Sequence, residues 1–162
     1  MNYHHITKDD MLNGDGLRVV LWVAGCSHNC PGCQNPFTHD PKGGIVFDDN
    51  AKKEIFEQLE KDYISGITFS GGDPMHEANV EEVLSLANEI RLKYPSKTIW
   101  VYTGYTLGQI EAKSGQIWDY RRELLDIIDV LCDGPFVENL KSPDKEWVGS
   151  SNQNVIRLKE DR

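Results

Sequence analysis

The sequence predicts an α/β domain: an incomplete (β/α) barrel with a mainly parallel sheet that is open on one side. Short apolar runs rich in β-branched residues alternate along the chain with amphipathic helical patterns. Strands separated by helices pair in parallel through right-handed crossovers. The three strongest motifs each follow a predicted strand, where such sheets carry their chemistry. A closed barrel typically needs about 200 residues or more, so 162 residues are expected to form an incomplete one in a single domain.

The first predicted strand covers residues 17–24, a nearly continuous apolar run typical of a strand buried on both faces. A helix capped by Asp48 or Asp49 follows and runs to about residue 63. The remaining predicted elements are a strand over 64–70, an amphipathic helix over 78–94, a strand over 98–102, a helix capped by Thr106, a helix over 120–128, and strands over 129–132 and 155–158.

The composition excludes several classes of partner. The formal net charge is -9, and no basic stripe with interleaved aromatic residues is present, so nucleic acid and anionic membranes are not expected partners. The N-terminal residues contain no apolar run of signal-peptide length. A cytoplasmic location is therefore expected, where thiols stay reduced and grouped cysteines indicate metal binding or catalysis.

Three of the four cysteines, Cys26, Cys30 and Cys33, lie within eight positions directly after the first predicted strand. Glycine and proline in the same loop allow the backbone to wrap closely around a cluster. Three thiolates leave one iron of a four-iron cluster open to another ligand, whereas a purely electron-transferring cluster usually has every iron bound by protein. The open iron indicates chemistry on a substrate.

Two alternatives for these cysteines remain. One is a structural zinc site completed by His28 or His39, and the other is simple burial of small residues. Zinc sites favour a second pair of ligands some distance away, and no second cysteine pair exists here. The fourth cysteine, Cys132, falls within an apolar strand and is expected to pack in the core.

The C-x3-C-x2-C spacing after the first strand resembles the radical S-adenosylmethionine superfamily. Within that superfamily the chain resembles the activators of anaerobic ribonucleoside-triphosphate reductases over nearly its whole length. The segments that carry this resemblance are residues 1–4, 13–14, 25–35, 70–74, 100–105, 133–134 and 149–153. The last of these, with the sequence GSSNQ, recurs in the family, but by default such a polar stretch is a loop.

The resemblance implies a fold of the radical-S-adenosylmethionine type and two cofactors, a 4Fe-4S cluster and S-adenosylmethionine. The amino and carboxylate groups of S-adenosylmethionine would chelate the open iron. One electron would then cleave the sulfonium bond to give methionine and a 5'-deoxyadenosyl radical. The difficult chemistry belongs to the cluster and the cofactor, so no further catalytic side chain is expected.

The resemblance also implies which residues surround the cofactor. The backbone around Gly32, Cys33 and Gln34 would flank the adenine, and the Gly-Gly-Asp segment would bind the methionine amino group. Polar groups at the ends of later strands would reach the ribose or carboxylate. Each of these has a plain alternative, since Gly-Gly and Asp-Gly pairs mark turns and tyrosines pack half-buried. The Gly-Gly-Asp segment is Gly71, Gly72 and Asp73, and the residues at the ends of later strands are Thr103, Gly104, Tyr105 and Asp133.

The partner implied by the resemblance is the large reductase subunit, which would lose a hydrogen atom from a glycine near its C-terminus to become a glycyl radical. An open barrel admits so large a substrate. An electron donor such as reduced flavodoxin, and a homodimer or a heterotetramer with the reductase, are further expectations. The alternatives are a radical enzyme of the deazapurine-synthase type, an activase of another glycyl-radical enzyme, and a zinc module.

Overall fold

The computed structural model describes residues 1–33 and 36–159. Within these residues, seven strands and four α-helices form a single-sheet α/β structure, with single 3-10 turns at Pro36–Thr38 and Glu138–Leu140. In chain order the elements are β1 (Asn2–Asp10), β2 (Leu17–Val23), β3 (Ile45–Val46), α1 (Asp49–Leu59), β4 (Ile64–Gly71), α2 (Val80–Lys93), β5 (Thr98–Tyr102), α3 (Leu107–Ala112), α4 (Gln116–Ile127), β6 (Val130–Asp133) and β7 (Asn154–Arg157). None of the described helices is both long and apolar enough to cross a membrane.

The sheet is mixed, so the expectation of a mainly parallel sheet is wrong. Its strand order is β3-β1-β2-β4-β5-β6-β7. The central strands β2, β4, β5 and β6 are parallel, whereas β1 pairs antiparallel with β2 and β3, and β7 pairs antiparallel with β6. The connection between β1 and β2 is too short for the helical crossover that parallel pairing requires. The sheet does not close, which agrees with the expected open side.

The predicted helices and central strands are confirmed with small shifts. Asp48 caps α1 by accepting the N–H of Ala51 at 2.9 Å, and Thr106 caps α3 in a reciprocal capping box with Gln109. The last helix, α4, starts four residues earlier than predicted, because Gly115 at φ 121° forms its N-cap. Strand β7 begins one residue earlier than predicted, at Asn154.

The two faces of the central strands have different chemistry. Side chains in register on one face, from Val19, Leu21, Phe69 and Val101 among others, form the main apolar core with the four helices. The alternate residues point to the opposite face, which we call the helix-free face. Its members include Arg18, Val20, Trp22, Thr68, Ser70, Trp100, Tyr102, Val130 and Cys132. Burial of the first face supplies most of the driving force for folding.

Arg18 crosses the helix-free face and is fully buried. Its guanidinium donates to the hydroxyls of Thr68 and Thr98 and to the carbonyls of Asp15, Ile67 and Thr98, at 2.8–2.9 Å. Burial lowers the pKa of Arg18 to about 10. The cation therefore ties together three parallel strands and the loop that precedes β2.

Asp129, just before β6, forms hydrogen bonds to three other parts of the chain. These bonds make the stability of the fold depend on pH. It accepts hydrogen bonds from Arg91 at 2.7 Å, from Lys159 at 2.8 Å and from the N–H of Ile99 at 2.7 Å. Burial alone would raise the pKa of this carboxyl, but these hydrogen bonds outweigh burial and lower it below the ordinary 3.8.

We expect Asp129→Asn to lower the free energy of unfolding by about 2 kcal/mol at pH 7, because charge-assisted hydrogen bonds are lost. A carboxyl with a depressed pKa stabilises the fold above its unfolded pKa, and this contribution is lost as pH falls through its folded pKa. The difference in the free energy of unfolding between wild type and variant, measured by urea titration, should therefore shrink as the pH falls from 5 to 3. A gap that stays constant over that range would contradict the assignment.

Candidate metal centre

The loop that carries Cys26, Cys30 and Cys33 leaves the carboxyl end of β2 and is fixed at its base. The N–H of Gly25 donates to Thr38 at 2.6 Å, and the N–H of Cys26 donates to His39 at 3.0 Å. A turn between Cys33 and Cys30 closes the other end of the loop at 3.1 Å. Gly32, at φ 74°, supplies the left-handed turn that a wrapped loop needs.

The three thiols are half-buried, lie outside any disulfide and influence one another electrostatically. Burial raises the pKa of Cys26 to about 11, although the N–H of His28 partly offsets it. Burial also raises the pKa of Cys30, offset in part by the N–H of Phe136. The raised pKa values favour the protonated thiols of Cys26 and Cys30, and a cluster would displace these protons, because thiolates are the metal ligands. Cysteine sulfurs are the ligands that iron-sulfur clusters take, so the chemistry of this loop fits such a group.

Asp73 joins the ends of three parallel strands beside this loop. Its side chain is 2% exposed. One oxygen accepts from His28 Nε2 at 2.7 Å, from the hydroxyl of Thr103 at 3.0 Å and from the N–H of Gly104 at 3.0 Å. The other accepts from the N–H of Met75 at 2.8 Å. This buried carboxylate therefore fixes the geometry of the loops that follow β2, β4 and β5.

His28, within the cysteine loop, packs against the residues that follow β5. Its ring meets Tyr105 edge-on with the centroids 4.5 Å apart. A Cβ on Gly104 would lie 2.4 Å from the His28 ring, so only glycine fits there. Potential ligand atoms of Cys26, His28 and Asp73 lie within 4.8 Å of one another. His28 therefore supports the loop through its contacts with Asp73, Gly104 and Tyr105.

Gly71 and Gly72 allow the end of β4 to lie directly against the cysteine loop. Gly71 has φ 103°, and a Cβ there would lie 2.6 Å from the backbone of Val23. The N–H groups of Gly72 and Asp73 donate to Val23 at 2.8 Å and Gly25 at 2.7 Å. Because neither glycine has a side chain, the end of β4 can lie directly against the end of β2.

A cavity of about 470 Å³ opens at the carboxyl end of the helix-free face. The cysteine loop contributes Cys33 to its wall, and β4 and β5 contribute Ser70 and Tyr102. Tyr102 donates its hydroxyl to the carbonyl of Trp147 at 2.7 Å, and burial raises its pKa. Strand β2 contributes Trp22. The remaining wall comes from the loop before β2 and from the segment before β7, through Leu12, Asn13, Phe136, Trp147, Val148, Gly149 and Gln153.

The predicted cofactor residues fall into two groups. Gly32, Cys33, Gly71, Gly72, Asp73, Thr103 and Gly104 gather around the cysteine loop. Tyr105 instead faces the helices, where its ring meets those of His28 and Trp118 edge-on. Asp133 is 4% exposed and accepts from the N–H of Leu107 at 2.8 Å and from Asn154 at 3.2 Å, so it holds the start of α3. Gln34 lies outside the described residues.

Sequence reasoning missed three residues that contribute to this site. Asn79 donates from Nδ2 to the carbonyls of Ala24 at 2.8 Å and Asp73 at 3.1 Å, and so clamps the base of the cysteine loop. Trp22 and Tyr102 line the cavity from the helix-free face. The alternation of Arg18 and Trp22 with apolar residues in β2 was the available signal, since alternate residues face opposite sides of a strand.

Known proteins resemble this chain over almost all of its length. A family model described as a 4Fe-4S single cluster domain matches residues 12–156. Anaerobic ribonucleoside-triphosphate reductase-activating protein of Escherichia coli K12 is 43% identical over 98% of this chain and 100% of its own length. The protein of that name from Haemophilus influenzae is 38% identical over 98% and 99%, and that of phage T4 is 40% identical over 96% and 93%.

Proposed function

The chain belongs to the family of anaerobic ribonucleoside-triphosphate reductase-activating proteins, and from that premise we propose that it installs a glycyl radical in the large subunit of such a reductase. The observation that carries the proposal is the grouping of three cysteines in one loop beside an open cavity, in a chain similar to these activators throughout. A catalytic 4Fe-4S cluster needs this combination of an incomplete thiolate cage and access for a substrate.

Cys26, Cys30 and Cys33 would hold the cluster and leave one iron open. When bound, the reduced cluster would supply the electron that cleaves S-adenosylmethionine into methionine and a 5'-deoxyadenosyl radical. The chain itself holds the sulfurs. Hydrogen bonds from His28 and Phe136 to Cys26 and Cys30 would stabilise the thiolates once their protons are lost.

S-adenosylmethionine would occupy the cavity on the helix-free face. Cys33 and Ser70 lie in its wall, which supports contacts from the neighbouring Gly32, Gln34, Gly71 and Gly72. The methionine amino group is a donor, so it would donate to backbone carbonyls of the segment that contains Gly72 and Asp73.

The remaining predicted cofactor residues would act through other groups. Asp73 is committed to four donors, so its part is to hold Thr103 and Gly104 in place beside the cysteine loop. Tyr105 would support the ring of His28, and Asp133 would orient the turn after β5 through α3. The whole would form one radical-S-adenosylmethionine domain, with the sheet as its partial barrel.

The open side of the sheet would admit a glycine-bearing loop of the reductase. Leu12, which is 81% exposed, lines the cavity together with Trp147 and Val148. Apolar walls exclude water from a radical intermediate and so limit side reactions. A donor such as reduced flavodoxin, a homodimer or heterotetramer with the reductase, and a cytoplasmic location belong to the same proposal.

Glycyl-radical formation on the reductase tests this function. The anaerobically reconstituted chain, reduced with dithionite and given S-adenosylmethionine and the reductase large subunit, should produce 5'-deoxyadenosine and the electron paramagnetic resonance doublet of a glycyl radical. A reductase whose C-terminal glycine is replaced by alanine is the control, and should give no doublet.

The same experiment separates the alternatives. An enzyme of the deazapurine-synthase type would consume a small substrate without any protein partner and would leave the reductase unchanged. An activase of another glycyl-radical enzyme would cleave S-adenosylmethionine but give no doublet on this reductase. The near full-length similarity to reductase activators favours neither of these.

A further inference from the structure

A second cavity, of about 460 Å³, opens between the cysteine loop and the start of α4. The cysteine loop contributes Ser27 to its wall, and the loop after β4 contributes His76 and Glu77. Helix α4 contributes its first residues and Arg121. None of the described lining residues belongs to the wall of the cavity that contains Cys33. The two cavities are therefore separate, and the function proposed above makes no use of the second.

Arg121 brings a buried positive charge to this second cavity. It is 4% exposed, its Nε donates to the carbonyl of Met75 at 2.8 Å, and its Nη2 donates to the hydroxyl of Tyr105 at 3.1 Å. The guanidinium carbon also lies 4.2 Å and 4.3 Å from the ring centroids of Tyr105 and Trp118. Among the residues that the structure describes, no carboxylate forms an ion pair with Arg121, and none accepts a hydrogen bond from its Nη1.

A buried arginine is normally paired with a negative charge. The two aromatic rings and the two neutral oxygens attract the guanidinium of Arg121, but none of them carries a negative charge. Nη1 is also still able to donate. A buried cation with an unused donor, in the wall of an open cavity, is suited to an anionic ligand.

The start of α4 adds donors to the same wall. Gly115 is the N-cap of this helix, and no side chain caps it. The N–H groups in the first turn of a helix have no partner within the helix, and they lie at the positive end of its dipole. Gln116 and Ile117, the first two helical residues, both line the cavity. Helical side chains lean towards the N-terminus, which brings Arg121 to the same end of α4.

The two loops in the wall supply further polar groups. His76 accepts the N–H of Ala78 at Nδ1, at 3.0 Å, so its neutral ring carries the proton on Nε2 and can donate from there. Ser27 is exposed and carries a hydroxyl. Glu77, which is also exposed, is the one carboxylate among the described lining residues. Donors therefore predominate in this wall.

We propose that this cavity binds a phosphate group, as free phosphate or as a phosphate ester, through Arg121 and the first turn of α4. Phosphate has enough acceptor oxygens for a guanidinium and the N–H groups of a helix start together, whereas a carboxylate has two oxygens. The cavity volume also leaves room for the organic part of an ester. The inference is independent of the proposed function, since it involves none of the three grouped cysteines.

Isothermal titration calorimetry on the full, anaerobically reconstituted chain at constant ionic strength tests the proposal. Inorganic phosphate and glycerol phosphate are the two probes, and the one that binds more tightly identifies the form of phosphate that the cavity takes. Acetate is the carboxylate probe and should bind more weakly than either.

Two variants assign the binding to this cavity. Arg121→Gln should weaken phosphate binding about tenfold or more, because a charge-assisted hydrogen bond is lost. Arg122→Gln removes the same charge from α4 outside the described wall and should leave the affinity unchanged. Gln116→Pro removes one backbone donor at the first helical position, where proline is tolerated, and should weaken binding about fivefold. Gln116→Ala keeps that N–H and is its control.

Circular dichroism identifies a variant that fails to fold, and Gln116→Pro carries the test if Arg121→Gln does so. Saturable phosphate binding that is weakened in these two variants and kept in their controls is the result we expect. Three results would overturn the inference: no saturable binding of either phosphate probe, wild-type affinity in both variants, or acetate binding as tight as that of phosphate.

Discussion

Replacing Asp73 with alanine should lower the free energy of unfolding by about 4 kcal/mol, because a buried acceptor shared by four donors is lost. His28, Thr103, Gly104 and Met75 would each keep a polar hydrogen with no carboxylate to receive it. The loops after β2, β4 and β5 would lose their common attachment. Urea unfolding at pH 7 measures the effect.

Asp73→Asn distinguishes loss of charge from loss of shape. The amide keeps one acceptor oxygen, but its NH2 must face a backbone N–H, of either Gly104 or Met75, so we expect a loss of about 2 kcal/mol. Glu77→Ala is the control, since Glu77 is exposed in the same loop and surface changes usually stay within about 0.5 kcal/mol. An Asp73→Ala chain as stable as Glu77→Ala would contradict the central place given to this carboxylate.

The central strands and helices could be predicted because their signals are local. The apolar runs of β2, β4 and β5 and the amphipathic face of α2 are each readable within about ten residues. The cap at Asp48 was equally local. Three cysteines in one short loop predicted a metal site, because residues so close in sequence necessarily stay close together in the fold.

The antiparallel strands at the sheet edges were harder to recognise. Strand β1 has the mostly polar sequence NYHHITKDD, and its residues are largely exposed or half-buried. Such a strand lacks the apolar alternation that indicates a buried sheet. The strand β3 is two residues long and exposed, so it has no pattern to detect. The sheet was wrongly expected to be mainly parallel because these antiparallel edge strands have no clear sequence pattern.

The parts of the site that escaped prediction depend on contacts between distant residues. Asp73 was expected to contact the cofactor, but its place at the meeting point of three strand ends emerges only in the folded chain. Gln153 holds Gly134 through irregular backbone that no periodicity describes. Asp133 is the last residue of the buried strand β6, and its carboxylate is used by α3 and Asn154.

The largest functional effect is expected from the cysteines themselves. Removal of any one thiolate from Cys26, Cys30 or Cys33 leaves two ligands for a cluster that needs three, so cluster binding should be lost. Cys132 lies in β6, 2% exposed, and burial raises the pKa of its thiol to about 12. Its replacement by alanine should leave the cluster in place, which makes it the matched control.

The most direct test of the account is the iron content and 5'-deoxyadenosine yield of the anaerobically reconstituted chain and its four single cysteine-to-alanine variants. Wild type and Cys132→Ala should bind about four irons per chain, as a 4Fe-4S domain requires, and should cleave S-adenosylmethionine when reduced with dithionite. Cys26→Ala, Cys30→Ala and Cys33→Ala should yield none. A colourless wild-type protein that binds zinc and forms no 5'-deoxyadenosine, or a variant at one of the three sites that still cleaves the cofactor, would contradict the account.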